Sequence, residues 1–212
     1  METLMKQTKL AGSSSNAKKF CKMSADQLPK SASQIKMIKE IIRCINYAAI
    51  KHRDARRQDE YQTPYINHLI DISYILVNEG AVSDISVIQA ALLNSVMEET
   101  ETSYYELHAE FGEDIANLVK ELTSDKSIQK QERRQRLLDS VSRFSPRAKA
   151  VLLAKELNML REYRRAPPAW SKEKLQEYYE SSARLISKLR STNSGIEKSL
   201  DTLFNERGIT IA

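Results

Sequence analysis

Cysteine is scarce in this chain. Cys21 and Cys44 are the only two among 212 residues, too few for a disulfide framework and without metal-type spacing, so both are expected to be reduced thiols with no chemistry of their own. Glycine and proline are also sparse, five of each, and nearly all fall where helical periodicity breaks off. No apolar run approaches the roughly 18 residues that a membrane-spanning helix needs. The first residues lack the charged-then-apolar order of a secretory signal. Alternating strand runs and internal repeats are absent too. What these absences leave is a soluble, cytoplasmic protein whose 41% hydrophobic content can bury one good core.

The net charge of +5 suggests nucleic acid until it is located along the chain. Residues 1–33 hold six lysines (Lys6, Lys9, Lys18, Lys19, Lys22 and Lys30) against Glu2 and Asp26, a surplus of four that leaves about +1 for all the rest. This segment is poor in aromatic and β-branched residues and contains "GSSSN", so it is expected to be a disordered tail ahead of a single domain over 34–212. A mitochondrial presequence would also be basic, and stands as the alternative location, but this tail has lysine without arginine. With no basic stripe focused on a helix and no spanning segment, neither nucleic acid nor membrane is expected as a partner.

From residue 34 onward the periodicity is helical. Ile35, Ile38, Ile41, Ile42, Ile45 and Ala49 predict a helix over about 34–52. Pro64 suits the first turn of a second, over 64–79, and Asp84 can cap a third, over 85–97. Ser103 with Glu106 reads as a capping box for a short helix stopped by Gly112, and 113–123 continues as another. A polar loop at 124–129 precedes a charged helix over 130–142. Ser145 and Pro146 open the next helix, which Pro167 and Pro168 close. Ser171 opens one to about 190, and Ser194 with Glu197 the last, ended by Gly208. The fold class is therefore all-α, a globule of about eight to ten helices.

Within the third predicted helix, "AALLNSVMEETET" places Asn94 and Ser95 among residues too apolar for a surface, with Glu98, Glu99 and Glu101 directly after. Buried polar side chains without partners are costly, so this pair must face a pocket or a local partner. Together with "RRQDEYQTPYINH", "TPYINHLIDISYIL", "LLAKELNMLREY" and "WSKEKLQEYYE", the stretch resembles the HD-domain phosphohydrolases. In particular it resembles the metazoan SpoT homologues, which remove the 3′-pyrophosphate of guanosine tetraphosphate (ppGpp) and have been linked to NADPH dephosphorylation. The resemblance runs from about 46 to 208 and implies an HD-type helical domain.

The resemblance also implies a manganese site built from two His and two Asp, and here the sequence departs from it. Of the four ligand positions only His68 keeps its residue; Asn94 stands for His, Ser95 for Asp and Lys155 for the distant Asp. Ser and Lys in place of two Asp raise the local charge by three, and an ammonium about 4 Å from a divalent ion is repelled by roughly 8 kcal/mol at an effective dielectric of 20. No cofactor is therefore expected, although the family uses manganese. The family's catalytic acids fall on Glu98 and Glu99, vestigial without a metal to lower the pKa of water. Lys155, inside "VLLAKELNML", must either snorkel outward or pair with an acid such as Glu98 or Glu99, Glu98 being the expected partner.

On the substrate side the resemblance assigns Arg57, Tyr65, Lys126, Lys174 and Tyr178. Gln58 replaces a Lys, Lys174 an Arg and Met159 an Asn, and Lys for Arg loses bidentate geometry. Each of these residues has a plainer reading: His68 as a core histidine, Glu98, Glu99 and Glu101 as a solvated helix end, Arg57 within a charge run, Tyr65 and Tyr178 as packing residues. The expectation is a catalytically inactive member of the ppGpp 3′-pyrophosphohydrolase family, either keeping weak binding of a guanine nucleotide or other phosphorylated small molecule, or acting as an interaction protein. The alternative is an active (p)ppGpp 3′-pyrophosphohydrolase or NADPH phosphatase with altered metal handling.

Overall fold

The structure, a computed structural model, describes residues 32–168 and 170–210. The expected disordered tail lies outside them but for its last two residues. The chain divides into two compact units, Met1–Lys39 and Glu40–Ala212, and the division falls inside the first helix, α1 (Ala32–Lys51). In the first unit the described residues are the opening turns of α1.

The second unit is all-α. It continues with α2 (Ile66–Asn78), α3 (Ile85–Leu93), α4 (Val96–Glu99), α5 (Tyr104–Phe111), α6 (Glu113–Leu122) and α7 (Lys130–Ser140). A 3-10 turn at Val141–Arg143 leads to α8 (Pro146–Arg165), α9 (Lys172–Ser187) and α10 (Ser194–Asn205). Among the described residues there is no strand, only an isolated bridge between Arg56 and Pro64. None of the described helices is long and apolar enough to cross a membrane.

The ends follow from side-chain chemistry. Asp84, Ser145 and Ser171 accept bonds from the backbone N–H groups of Ser86, Ala148 and Lys174, satisfying donors that a helix start leaves open. Ser103 likewise caps α5 through the Glu106 N–H, but the Glu106 carboxylate turns to the Tyr47 hydroxyl and Lys51 rather than back to Ser103. At α10 the cap is Asn193, one residue earlier than expected, with Glu197 accepting from the Thr192 and Asn193 N–H groups. Gly112 sits at φ 85°, a conformation that stops α5 and that other residues avoid.

One expected helix is broken. The run read as 85–97 ends at Leu93 and resumes as the four-residue α4, because the Asn94 amide donates to the Ala91 carbonyl and competes with the helical ladder.

The twenty-residue α8 is the axis of the unit. It packs against α2, α3, α6, α9 and α10, and buries Val151, Leu153, Ala154, Leu157 and Leu160 completely. Its apolar neighbour α3 is buried from Val87 to Leu93. At about 1.5–3 kcal/mol per fully buried large apolar side chain, this axis supplies much of the drive to fold. The residues of interest lie along it, where α2 and α3 meet α8.

Candidate functional site

The loop between α1 and α2 is closed on itself. The Arg57 N–H donates to the Thr63 carbonyl and the Asp59 carboxylate accepts from the Thr63 N–H, at 2.9 and 2.8 Å, so that Arg57 turns inward. Its guanidinium forks onto the Glu162 carboxylate on α8, lies 3.8 Å from the Met159 sulfur and 3.2 Å from His68 Nδ1. Both charged partners are largely buried.

His68, on the first turn of α2, is buried. Its Nδ1 also meets the Asn158 amide nitrogen at 2.8 Å. Guanidinium is only a donor, so Nδ1 is the acceptor and the proton of the neutral ring sits on Nε2. Burial first, then the positive charges of Arg57 and Lys155, push the His68 pKa down to about 3. The ring is neutral throughout the physiological range.

A second chain of polar contacts fills the end of α3. The Tyr65 hydroxyl donates to Ser95 Oγ at 3.2 Å, the Ser95 hydroxyl to the Asn94 side-chain Oδ1 at 3.0 Å, and the Asn94 side-chain amide to the Ala91 backbone carbonyl at 2.5 Å. Asn94 and Ser95 are fully buried and satisfied without a ligand. Burial raises the Tyr65 phenol to about 12. Its ring is wedged between His52, with centroids 4.8 Å apart, and His68, at 5.7 Å, and is no open stacking platform.

The acids are also engaged. Glu98 accepts from Ser124 Oγ at 2.6 Å and from Arg133 at 3.1 Å, and Glu99 pairs with Lys126. The expected pairing of Lys155 with Glu98 is thus not formed: Arg133 on α7 and Ser124 in the preceding loop reach that carboxylate instead. Among the described residues Lys155 forms no ion pair. It is only partly buried, as a snorkelling lysine would be, and its charge acts on His68 and on buried Glu156.

Lys174 and Tyr178 stand in a third group. The Lys174 ammonium lies 5.1 Å from the Trp170 ring centre, with the Lys130 ammonium 5.5 Å from it. Tyr178 packs edge-on against Tyr163 at 4.9 Å and near Trp170 at 5.9 Å. Burial and the nearby Glu156 raise its phenol well above the usual range. Gln58 is exposed.

Sequence reasoning brought His68, Asn94, Ser95, Tyr65 and Arg57 to one place, but missed their partners. Asn158 and Glu162 are at i+3 and i+7 from Lys155, on one face of α8, and helical spacing alone could have flagged them. His52 left no such signal; it is buried with neither ring nitrogen hydrogen-bonded. Lys130 and Arg133 were read only as parts of a charged helix, and Trp170 only as the start of the segment "WSKEKLQEYYE".

The residues at the four presumed ligand positions do not fit a divalent cation. One imidazole, one amide, one hydroxyl and one ammonium supply no carboxylate, and the imidazole's Nδ1 is already committed. Among the described residues no group of three or more His, Cys, Asp and Glu could hold a metal ion.

Comparison with known proteins places this geometry in context. The HD-domain family pattern matches residues 44–189. The guanosine-3′,5′-bis(diphosphate) 3′-pyrophosphohydrolase MESH1 of Drosophila melanogaster is 39% identical over 171 residues, covering 80% of this chain and 96% of that protein. The Homo sapiens protein of the same name is 41% identical over 173 residues, covering 81% and 97%. A solved structure described as a metazoan orthologue of SpoT that hydrolyses ppGpp superposes with a TM-score of 0.78 at 39% identity, covering 81% of this chain and 97% of that one.

Proposed function

The chain belongs to the HD-domain family of guanosine-3′,5′-bis(diphosphate) 3′-pyrophosphohydrolases, and from that premise we propose that it is a member that has given up metal-dependent hydrolysis and serves as a non-catalytic binding protein. One observation carries the reading. At the positions that the resemblance gives to the metal, His68 is the sole conventional ligand, held neutral beside Arg57 and Lys155 with its Nδ1 accepting from Asn158 and Arg57. Without a metal, neither a lowered water pKa nor a Lewis acid is available to attack a phosphoryl group.

The cations assigned to the nucleotide are likewise spent internally, Arg57 on Glu162 and Lys126 on Glu99. An incoming phosphorylated ligand must displace a carboxylate from each, which weakens its net gain. The competing hydrolase reading would need Glu98 or Glu99 free as a base, and both hold a cation.

Pyrophosphate release from ppGpp and phosphate release from NADPH, each with and without added manganese, test the proposal. The expected result is no release above the buffer rate in either condition. Manganese-dependent turnover by the unmodified chain would overturn it.

A further inference from the structure

At the positions that the resemblance gives to metal ligands, two hydrogen-bond donors have no acceptor. Lys155 stands on the inner face of α8: Val151 and Leu152, one turn before it, and Asn158, one turn after, are all buried. The lysine itself is partly buried, and among the described residues it makes no hydrogen bond, ion pair or ring contact. Three residues further along α8, about 4.5 Å of helix rise, Asn158 meets His68 Nδ1 at 2.8 Å. That contact leaves the Nε2–H on the opposite side of the ring. It meets no acceptor among the described residues, although His68 is only 3% exposed.

The other charges around these donors are matched. Arg57 is held by Glu162, Arg133 by Glu98, Lys126 by Glu99 and Arg134 by Glu156. The side-chain oxygens of Asn94 and Ser95, which could have served as acceptors, are engaged with one another and with Tyr65. Lys155 is left as the cation of this group without a carboxylate, and the two charges that depress His68, those of Arg57 and Lys155, are both positive. A partly buried ammonium and a buried N–H without acceptors both cost free energy in the unliganded chain. Donors left open in this way mark a place where a ligand supplies the missing acceptor.

We propose that the position the resemblance gives to a metal is, in this chain, an anion site, where Lys155 and the His68 Nε2–H take the phosphoryl group of a phosphorylated small molecule directly, with no metal between. A phosphoryl group carries up to two negative charges and three acceptor oxygens, enough to meet both donors at once. A divalent cation there would face the ammonium instead. Arg57 and Lys126 must leave their carboxylates before they can hold such a ligand, whereas Lys155 has none to leave. The inference rests on the reading of the chain as a non-catalytic binding protein and adds the group by which its ligand is held.

The test is calorimetric titration of pyrophosphate into the full chain in the presence of EDTA, with Lys155→Met and Lys155→Arg alongside. The unmodified chain should bind, Lys155→Met at least about tenfold more weakly, and Lys155→Arg within about threefold of the unmodified chain. Pyrophosphate should also protect Lys155 from acetylation by acetic anhydride, read by peptide mass spectrometry on the unmodified chain. In anion-free buffer Lys155→Met should be at least as stable as the unmodified chain, because it removes a cation that has no partner. No binding in EDTA, equal binding by Lys155→Met, or acetylation of Lys155 at an unchanged rate would overturn the proposal. So would a marked loss of stability in Lys155→Met, which would reveal a structural partner for the lysine. Those results strike the anion site alone; manganese-dependent turnover, measured separately, would strike the functional reading and the anion site together.

Discussion

His68 accepts two hydrogen bonds on Nδ1 and lies close to two positive charges, which makes it a proton-averse group in the folded state. Unfolded, it takes up a proton near its ordinary value of 6.5, whereas folded it resists to about 3. Between those values the unfolded chain binds more protons, so stability falls as the pH falls, by about 1.4 kcal/mol per unit. Burial lowers His52 in the same direction. Denaturant unfolding at pH 7 and pH 5 should show this loss, and His68→Gln, whose amide oxygen can still accept from Asn158, should show less of it. Equal acid sensitivity in both proteins would contradict the assignment. Glu162→Gln makes a second case: it releases Arg57, and ppGpp affinity measured by calorimetry should rise about tenfold. Unchanged affinity would mean that Arg57 does not reach the nucleotide. The identity of these residues was legible because His68, Tyr65 and Arg57 sit within one short segment. Their partners were not, since Glu162 is 105 residues from Arg57 and no local pattern joins two positions that only tertiary packing brings together.

The helical elements were read from apolar spacing and caps, and the caps at Asp84, Ser145 and Ser171 are formed as that chemistry requires. The break at Asn94 escaped the periodicity because apolar residues resume at Val96 and Met97 beyond the polar pair, while the interruption comes from one side-chain amide bonding its own helix. The contact of α7, α8 and α9 also depends on buried polar chemistry. The Glu156 carboxylate, almost completely buried, accepts from Arg134 on α7 at 2.7 and 3.3 Å and from Ser182 on α9 at 2.9 Å. Glu156→Leu leaves the Arg134 guanidinium without its counter-charge, held only by the Ser181 and Ser182 hydroxyls, and should destabilise by about 3–5 kcal/mol in denaturant unfolding. Adding Arg134→Met should recover most of that loss. If Glu156→Leu alone is neutral, the pair does not hold these helices together.

At the scale of the molecule, the chain keeps an HD-type scaffold, and the proposed loss of metal-dependent hydrolysis is confined to its centre. All-α architecture and family were legible, because they rest on many apolar positions and several separate segments. The centre was less legible: the three departures from the family pattern, Asn94, Ser95 and Lys155, can be read from the chain, whereas the internal pairings that take up Arg57, Glu98 and Glu99 depend on the packed arrangement. If the scaffold still holds α2, α3 and α8 as its active relatives do, Asn94→His, Ser95→Asp and Lys155→Asp together should create a manganese site with His68. No single change should suffice, since each leaves either the ammonium or too few ligands. Manganese titration into the unmodified chain by isothermal calorimetry, with the triple variant alongside, is the most direct test of the central claim. The account predicts no saturable binding by the unmodified chain and a defined site in the triple variant; stoichiometric manganese binding by the unmodified chain would contradict it.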